Sequence, residues 1–477
     1  MRIISKLYTN KKGVITTYAL VFGAIFSILL AGLLGFILLQ LRLSSQKVAW
    51  NEALEIAEAG INYYRWCLNN EVEQNCLTEK DYFDPAGNLI GKFSLQVTST
   101  SACGQTIQKE IVSTGWTNNF PDLKRKVSVL YARTSIAKFS YVLNDNVWIG
   151  SDHEIRGPYH SNGGIRMDGE NQSLVTSAKD KWICTSSFGC SSCPISAGCQ
   201  IQGSNCVCPG VFTTANGNPD LFQFPVPPFD FTGITIDLAK IKSLTQPYPQ
   251  KYYWPPSTEI NPQGKGYHIK FRNDGKFEVW IITELSSTYA YSLEEDWHYD
   301  YFIIQSEYQY GAPISIDPAC SLIFFEDNLW PEGVVKGKVT VASANLINPN
   351  LDTDVVLLGN IDYTVKDGSD GLALIGERNV LIGPQSPDQM ELRGIFIAQK
   401  GRFSRNHYPG NIREKLEIYG SIISNGRVGT QWVSGSQIVS GYLKRESYFD
   451  SNLIYNPPPF VPYITSDFKI VKWAEIK

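Results

Sequence analysis

The N-terminal part of the chain contains a long uncharged run, GVITTYALVFGAIFSILLAGLLGFILLQL, at residues 13–41. As an α-helix, this run would be about 43 Å long at ~1.5 Å per residue, which exceeds the ~30 Å hydrocarbon core of a bilayer. Residues 1–12 carry four basic side chains and no acidic one, and Arg42 ends the run. The charge asymmetry predicts a single span of the cytoplasmic (inner) membrane, with the N-terminus inside and everything after Arg42 outside.

A secretory signal peptide and an ordinary uncleaved anchor are the alternatives to this interpretation. A signal peptide has an apolar region about half as long, followed by a small-residue cleavage site. Here the sequence beyond the run stays compatible with a helix, because residues 43–69 contain no proline and a single glycine, Gly60. We therefore predict one helix over residues 14–69.

The second half of this predicted helix has a narrow polar stripe. Its members recur every three or four residues, which is the spacing of one helical face. The rest of the circumference is apolar, so the helix needs partners on several sides. The stripe consists of Lys47, Asn51, Glu55, Glu58, Asn62 and Arg65.

A short motif before the apolar run resembles the prepilin peptidase site of type IV pilins. The motif is Lys11-Lys12-Gly13, and the uncharged helix starts directly after it. The resemblance implies cleavage between Gly13 and Val14, with residues 1–13 as a basic leader. It also implies prepilin peptidase as a partner.

A second motif lies in the predicted helix. The segment LEIAEAGI at residues 54–61, with Glu55, Glu58 and Gly60, is similar to the PilX-type minor pilins. Glycine-and-strand patterns in the last 170 or so residues also resemble the exported domains of that family. The resemblance implies an assembly or tip-adhesion subunit of a type IV pilus or pseudopilus. Other pilin or pseudopilin subunits and the pilus assembly machinery would be its partners.

One position departs from the major-pilin pattern. After cleavage at Gly13, the fifth mature residue is Tyr18. Major pilins carry a glutamate there, which pairs with a neighbour's N-terminus. An intramembrane carboxylate costs roughly 2.5–3.5 kcal/mol to insert, so its presence normally signals assembly. Tyr18 instead fits a tip or priming subunit, or a relative that is no longer built into a fibre.

The exported remainder has a composition typical of β-structure. Its many aromatic residues suit strands, and 39 glycines in the chain suit turns. Short strand-like pieces then recur at 16 to 23 residues, roughly the period of a β-solenoid rung, although a β-sandwich is the alternative. We predict an α+β protein with a long pilin-like helix followed by a mainly-β region. The pieces contain Val339, Val355, Leu372, Ile395 and Leu416.

These signals predict five segments. The leader and the helix are followed by three β regions. The predicted segments are the leader at 1–13, the helix at 14–69, a small pilin-like β region at 70–135, a β region at 136–305 with a cysteine-rich insert (184–208) and a Pro-rich linker or draped loop, and a solenoid-like domain at 306–477.

Whether the ten cysteines form disulfides or bind metal depends on whether the chain is exported or cytosolic. An even number in an exported chain predicts disulfides, whereas the same cluster in the cytosol would indicate zinc. We expect Cys67 to bond Cys76 across a short loop. We also expect the six cysteines of the insert to form disulfides mainly with one another, although the sequence does not determine which cysteine pairs with which. These six are Cys184, Cys190, Cys193, Cys199, Cys206 and Cys208.

No sequence motif indicates catalysis. The chain lacks a phosphate loop, a nucleophile elbow and a dinucleotide fingerprint. We therefore predict no catalytic residues, no cofactor and no metal site, and a structural protein rather than an enzyme. The net charge of −4 argues against a nucleic-acid partner, which needs a concentrated basic surface. The alternative function is a membrane-anchored β-solenoid that binds or cleaves glycans at the cell surface.

Overall fold

The computed structural model describes residues 12–70, 76–232, 236–348, 350–435 and 437–476. The chain divides into two compact units. The first comprises Met1–Thr98, Glu110–Tyr131 and Ile470–Lys477, and the second comprises Ser99–Lys109 and Ala132–Lys469. The predicted basic leader lies outside the described residues up to position 11.

The first unit combines one long helix with a five-stranded sheet. The helix α1 (Lys12–Asn69) is about 87 Å long at ~1.5 Å per residue. Strands β2, β3 and β4 follow one another through two-residue connections, as in antiparallel hairpins. The order across the sheet is β1-β2-β3-β4-β34. These strands are β1 (Lys80–Phe83), β2 (Leu89–Ala102), β3 (Gln105–Thr117), β4 (Phe120–Ala132) and the C-terminal β34 (Lys469–Ile476).

The second unit is mainly β-structure. Its first strands are short, and three of them, β12 to β14, form a separate sheet in the cysteine-rich insert. They are β5 (Tyr141–Leu143), β6 (Val147–Ile149), β7 (His153–Arg156), β8 (Tyr159–Ser161), β9 (Ile165–Met167), β10 (Glu170–Asn171), β11 (Val175–Ser177), β12 (Lys181–Cys184), β13 (Gln200–Gln202), β14 (Asn205–Pro209), β15 (Val211–Phe212) and β16 (Phe222–Gln223).

Two short helices and a long hairpin follow. The helices are α2 (Leu238–Thr245) and α3 (Ser257–Ile260). The hairpin consists of β19 and β20, which are far longer than their neighbours. The strands here are β17 (Tyr253–Trp254), β18 (Tyr267–Phe271), β19 (Lys276–Ser292), β20 (Asp296–Gln309), β21 (Ile314–Ser315), β22 (Leu322–Phe325), β23 (Leu329–Val335) and β24 (Lys338–Ser343).

The remaining strands complete a large mixed sheet. They are β25 (Val355–Leu357), β26 (Ile361–Tyr363), β27 (Gly371–Gly376), β28 (Val380–Ile382), β29 (Gln389–Ala398), β30 (Phe403–Ser404), β31 (Ile412–Ser424), β32 (Gln431–Ser434) and β33 (Gln437–Tyr448).

Parallel ladders dominate this sheet. One ladder runs in chain order through β22, β24, β27, β29 and β31, with Ala342 opposite both Phe324 and Ile375. It then continues into strands from the start of the unit, because Ile423 of β31 pairs with Val142 of β5. β5 pairs with β8, and β8 with β11. The strands that come first in the chain therefore extend the ladder beyond the strands that come last.

Both faces of this ladder are buried. Ile323 and Phe325 of β22 belong to the larger hydrophobic core, while Leu322 and Phe324 on the opposite face belong to a second cluster. Such two-sided burial explains why the ladder strands are continuously apolar rather than alternating. The second cluster also receives side chains from the segment before and within α2 and from the C-terminal part of the unit, including Ile236, Leu238, Ile241, Leu453 and Val461.

The Pro-rich segment predicted as a linker or draped loop is followed by residues that contact two separate parts of the ladder. The backbone of Phe229 exchanges two 2.8 Å hydrogen bonds with the side chain of Asn162, next to β8. Farther along, the Ile236 carbonyl accepts a hydrogen bond from Gln399 beside β29, at 3.2 Å. Asp237 then caps α2 by accepting from the Lys240 N–H at 2.8 Å.

A hairpin turns at Asn273-Asp274-Gly275. β18 and β19 pair antiparallel with Phe271 opposite Phe277, and Gly275 adopts the positive φ of 81° that this turn requires. The predicted repeat is distributed differently. Val339 pairs with Leu372 in one ladder, whereas Val355 pairs with Val380 in another. Leu372, Ile395 and Leu416 lie on β27, β29 and β31, which continue the ladder of Val339, so of the five repeat positions only Val355 belongs to a different ladder.

Candidate assembly helix

The first half of α1 is exposed in the part of the chain that the structure describes. Residues 14–45 are exposed throughout, and the helix is long and apolar enough to cross a membrane. The hydroxyl of Ser27 in this half of the helix donates a hydrogen bond to the Gly23 carbonyl of the same helix, at 2.8 Å. Such internal hydrogen bonding is what a helix needs in lipid.

The residues predicted for processing and assembly lie at the start of this exposed half. Gly13 is in the first turn of α1, and the side chain of Val14 is 56% exposed. Tyr18 is 60% exposed, so its ring is free to contact lipid or a neighbouring helix. Cleavage after Gly13 stays a prediction.

The second half of α1 packs closely on the sheet. Gly60 is buried, and a Cβ at this position would meet Phe93 Cδ2 of β2 at 2.9 Å. From the sheet side, a Cβ at Gly115 of β3 would meet the Cα of Ala57 at 3.0 Å. Ala53 and Ala57 are fully buried. Small residues on both elements thus permit a backbone-to-backbone approach that larger side chains would prevent.

The polar stripe faces away from this contact. Glu55 is exposed and Glu58 is half-buried, and neither forms an ion pair with a described residue. The other stripe members are exposed as well: Lys47, Asn51, Asn62 and Arg65. Most of the polar stripe is therefore exposed, while Ala53, Ala57 and Gly60 on the rest of the circumference are buried.

One charged group links α1 to two strands. The guanidinium of Arg125 on β4 stacks 5.0 Å from the Trp50 ring, and its Nη2 lies 2.6 Å from Glu475 Oε1 of β34. Trp50 itself remains 43% exposed. The helix therefore keeps an aromatic surface beside the charged stripe.

A disulfide closes the end of the helix. Cys67 in the last turn bonds to Cys76, with Cα atoms 6.5 Å apart. Residues 71–75 between them lie outside the described residues. This bond ties the helix terminus to the approach to β1.

The insert cysteines are joined among themselves in the structure. Each of the three bonds has a sequence separation of 13 residues or fewer, so each closes a small loop. The bonds join Cys184 to Cys190, Cys193 to Cys206, and Cys199 to Cys208.

The sequence analysis missed one pairing. Cys103, at the turn between β2 and β3, bonds to Cys320 just before β22. The two residues are 217 positions apart. Only the even number of cysteines hinted that both would find a partner, because neither has a nearby cysteine to suggest one.

Comparison with solved structures finds a distant likeness to a pilin. No protein-family model matches the chain, and no curated protein matches it. Among solved structures, the competence-associated pilin ComZ from Thermus thermophilus aligns over 90% of this chain and 97% of its own, at 12% identity and a TM-score of 0.30. A likeness at this TM-score establishes neither the family nor the function of this chain.

Proposed function

We propose that this protein is a minor pilin-like subunit of a type IV pilus or pseudopilus, similar to the PilX type, with a large exported head. The observation that carries the proposal is the division of α1 into two halves. Residues 14–45 are exposed and almost entirely apolar, whereas residues from Ala49 to Cys67 bury one face on the sheet through Ala53, Ala57 and Gly60.

An exposed helix of this kind requires a partner environment. In water, its contiguous apolar surface would drive aggregation. The membrane provides that environment before assembly, and the helices of neighbouring pilin subunits provide it inside a fibre. The open polar stripe with Glu55 and Glu58 offers charged positions for such neighbours or for the assembly machinery.

The first turns of the helix favour a tip or priming position. Tyr18 occupies the place where a shaft subunit would carry the carboxylate that pairs with the next N-terminus. A subunit at the tip does not need this pairing, because no further subunit lies beyond it. A bulky head is also easier to accommodate at a fibre end than along its length.

The head is proposed to be a β-solenoid. Successive parallel pairings from β22 to β31 and on through β5, β8 and β11 support this architecture, since each pairing places one coil of chain beside the next. The head would lie outside the cytoplasmic membrane, where its disulfides can form and persist.

The proposal is tested by following processing and incorporation in cells that express a prepilin peptidase. We expect the mature N-terminus to be Val14 and the protein to be recovered in sheared fibres. Gly13→Leu should block processing, because it places a branched side chain at the predicted cleavage point, and should remove the protein from the fibre fraction.

Gly23→Leu is the matched control. A Cβ at Gly23 meets nothing within 4 Å, so the same substitution there should leave cleavage intact. Mass spectrometry of the N-terminus and immunoblots of sheared material provide the readouts. A wild-type protein that still begins at Met1 or Arg2 in these cells would leave only a plain membrane anchor.

A further inference from the structure

A cleft of about 530 Å³ opens on the second unit, away from the residues used above. One wall comes from the cysteine-rich insert at Ser186 and Ser187, which the Cys184–Cys190 disulfide encloses. The opposite walls come from Tyr291 near the end of β19 and Trp432 of β32. Parts of the chain that are distant in sequence therefore form one concave surface.

Four arginines line this cleft, and two of them are neutralised. Arg402 Nε lies 2.8 Å from Glu294 Oε2. Arg445 makes a bidentate pair with Asp152, with both nitrogen–oxygen distances at 2.8 Å. These two cations are balanced by two carboxylates in the same cleft.

Arg427 has no such direct ion pair, although the carboxylates of Asp145 and Glu294 act on its charge from a greater distance and oppose the lowering of its pKa. It forms no ion pair with any described carboxylate, and its Nη2 donates to the Ser187 carbonyl at 2.9 Å. Its guanidinium stacks 4.4 Å from the Phe188 ring. The insert thus holds this cation in place on the cleft wall. Burial lowers the pKa of Arg427 from its usual value.

Arg405 is a second uncompensated cation. Its side chain is fully buried, with Nη2 donating to Asn411 Oδ1 at 2.5 Å and Nη1 to Ser440 Oγ at 3.1 Å. Its Nε has no hydrogen-bond partner among the described residues, and no described carboxylate pairs with the guanidinium. Burial lowers the pKa of Arg405 to about 10, so it is still charged at neutral pH.

Arg405 is fully buried and Arg427 is half-buried, and neither has an ion-pair partner among the described residues. A buried charge without a counter-charge is strongly destabilising, and an anionic ligand would supply the missing partner. Guanidinium groups favour carboxylate, sulfate and phosphate because their planar donors match these acceptors in pairs.

An aromatic surface continues outward from the cleft. Trp432 packs edge-on against Tyr291 at 5.5 Å, and Tyr291 lies 5.3 Å from Trp297. Trp297 stacks on Tyr289 at 4.9 Å, and these two rings are 48% and 46% exposed. Tyr299, opposite Tyr289 in the hairpin, is 60% exposed. These amphipathic rings offer flat apolar faces beside polar groups, as sugar-binding surfaces require.

We propose that this cleft binds an acidic saccharide. A uronate-type carboxylate would pair with Arg427, close to the positive charge of Arg405. The pyranose ring of that sugar would lie on Trp432 and Tyr291. Further sugars would contact the aromatic side chains that lead to Trp297. A nucleic acid fits less well, because Glu294 and Asp152 line the same cleft and a phosphate chain needs a continuous basic track.

The test uses the full-length protein in detergent and isothermal titration calorimetry at low ionic strength. The probes are tetragalacturonate, its fully methyl-esterified neutral form, and a single-stranded oligothymidylate. We expect binding of tetragalacturonate, at least about tenfold weaker binding of the ester, and at least about tenfold weaker binding of the acid to Arg427→Gln. Binding of the acid should also weaken as salt is raised.

Arg272→Gln is the matched control, because it removes the same charge from the turn between β18 and β19, outside the cleft lining, and it should change the affinity by less than about twofold. Trp297→Ala should weaken tetragalacturonate but not monogalacturonate, since only the longer ligand reaches that ring. Near-ultraviolet circular dichroism checks that each variant stays folded.

Three outcomes would overturn the proposal: equal binding of the acid and its ester, no binding of either, or tighter binding of the oligothymidylate that Arg427→Gln also abolishes. The last of these would assign the cleft to nucleic acid instead.

Discussion

The buried His268 gives the second unit a pH-dependent contribution to stability. His268 Nδ1 lies 2.7 Å from Glu307 Oε2, and its Nε2 lies 3.2 Å from Glu332 Oε1. Burial alone lowers the pKa of His268, but the two carboxylates outweigh it, and the pKa is raised overall. The same contacts lower the pKa of Glu332, and they lower that of Glu307 against the opposing effect of burial.

The sign of this contribution follows from linkage. Because the folded-state pKa of His268 is raised, its stabilisation is fully present below its unfolded value of about 6.5 and is lost as pH rises through the folded value. The carboxylates act at the other end, since their lowered pKa means that stability falls as pH drops through their folded values. These ion pairs therefore stabilise the fold most at pH values between the pKa values of the two carboxylates and that of His268.

We expect His268→Gln to reduce the free energy of unfolding more at pH 6 than at pH 9, measured by urea denaturation. His407→Gln is a control of opposite sign, because burial lowers the pKa of His407 and penalises its protonation in the folded state. That variant should gain relative stability as pH falls from 8 to 5. A loss for His268→Gln that is the same at pH 6 and 9 would contradict the ion-pair interpretation.

At the scale of elements, the contact between α1 and its sheet depends on glycines, which have no side chain. The helix approaches β2 and β3 where Gly60 and Gly115 leave room, and Phe93 fills the remaining space. Helix propensity alone would disfavour Gly60 by about 1 kcal/mol relative to alanine. The packing explains why a glycine occurs in an otherwise strong helical segment.

We expect Gly60→Val to destabilise the first unit by about 1–3 kcal/mol, because the added carbons would overlap Phe93 and the Ser113 side chain. Hydrogen–deuterium exchange in β2 to β4 should accelerate in this variant. Asn62→Val introduces the same side chain on the exposed stripe and should leave exchange in the sheet unchanged. Unaltered exchange in Gly60→Val would mean that the helix does not rest on the sheet at this point.

The cysteine-rich insert shows how crosslinks replace an aliphatic core. Its buried cluster contains five cysteines with Trp182 and Phe212, and no leucine, isoleucine or valine. Disulfides restrict the unfolded chain, and their sulfur atoms also fill the interior. The small loops they close position Ser187 and Phe188, which hold Arg427 at the cleft.

At the scale of the whole molecule, strands from the two ends of the second unit complete one ladder. β5 and β8 begin the unit, yet β5 pairs with β31 nearly 300 residues later. β7 likewise pairs with β33. The early strands therefore have no complete ladder to join until the late strands have formed.

We expect truncation after Gly410 to expose β5, β7 and β8, although they lie more than 200 residues upstream, because β31 and β33 are then missing. Hydrogen exchange of these strands should approach that of an unfolded chain. Truncation after Phe468 removes only β34 and should leave their protection unchanged. Full protection of β5 in the shorter chain would show that the early strands fold without the ladder.

The amino-acid sequence by itself determined the features that depend on local pattern. The uncharged run and the polar stripe of α1 both follow from the properties of neighbouring residues. Periodicity and turn chemistry act over a few positions, so they can be predicted without knowing what lies across the fold.

Tertiary structure alone decided which strands became partners. The pairing of Ile423 with Val142, the Cys103–Cys320 bond and the meeting of Arg427 with Ser187 join residues far apart in the chain. A buried parallel strand is apolar on both faces, so its sequence carries no alternation that identifies a neighbour or a register. Those choices follow from the burial and hydrogen bonding of the complete ladder, which no single segment encodes.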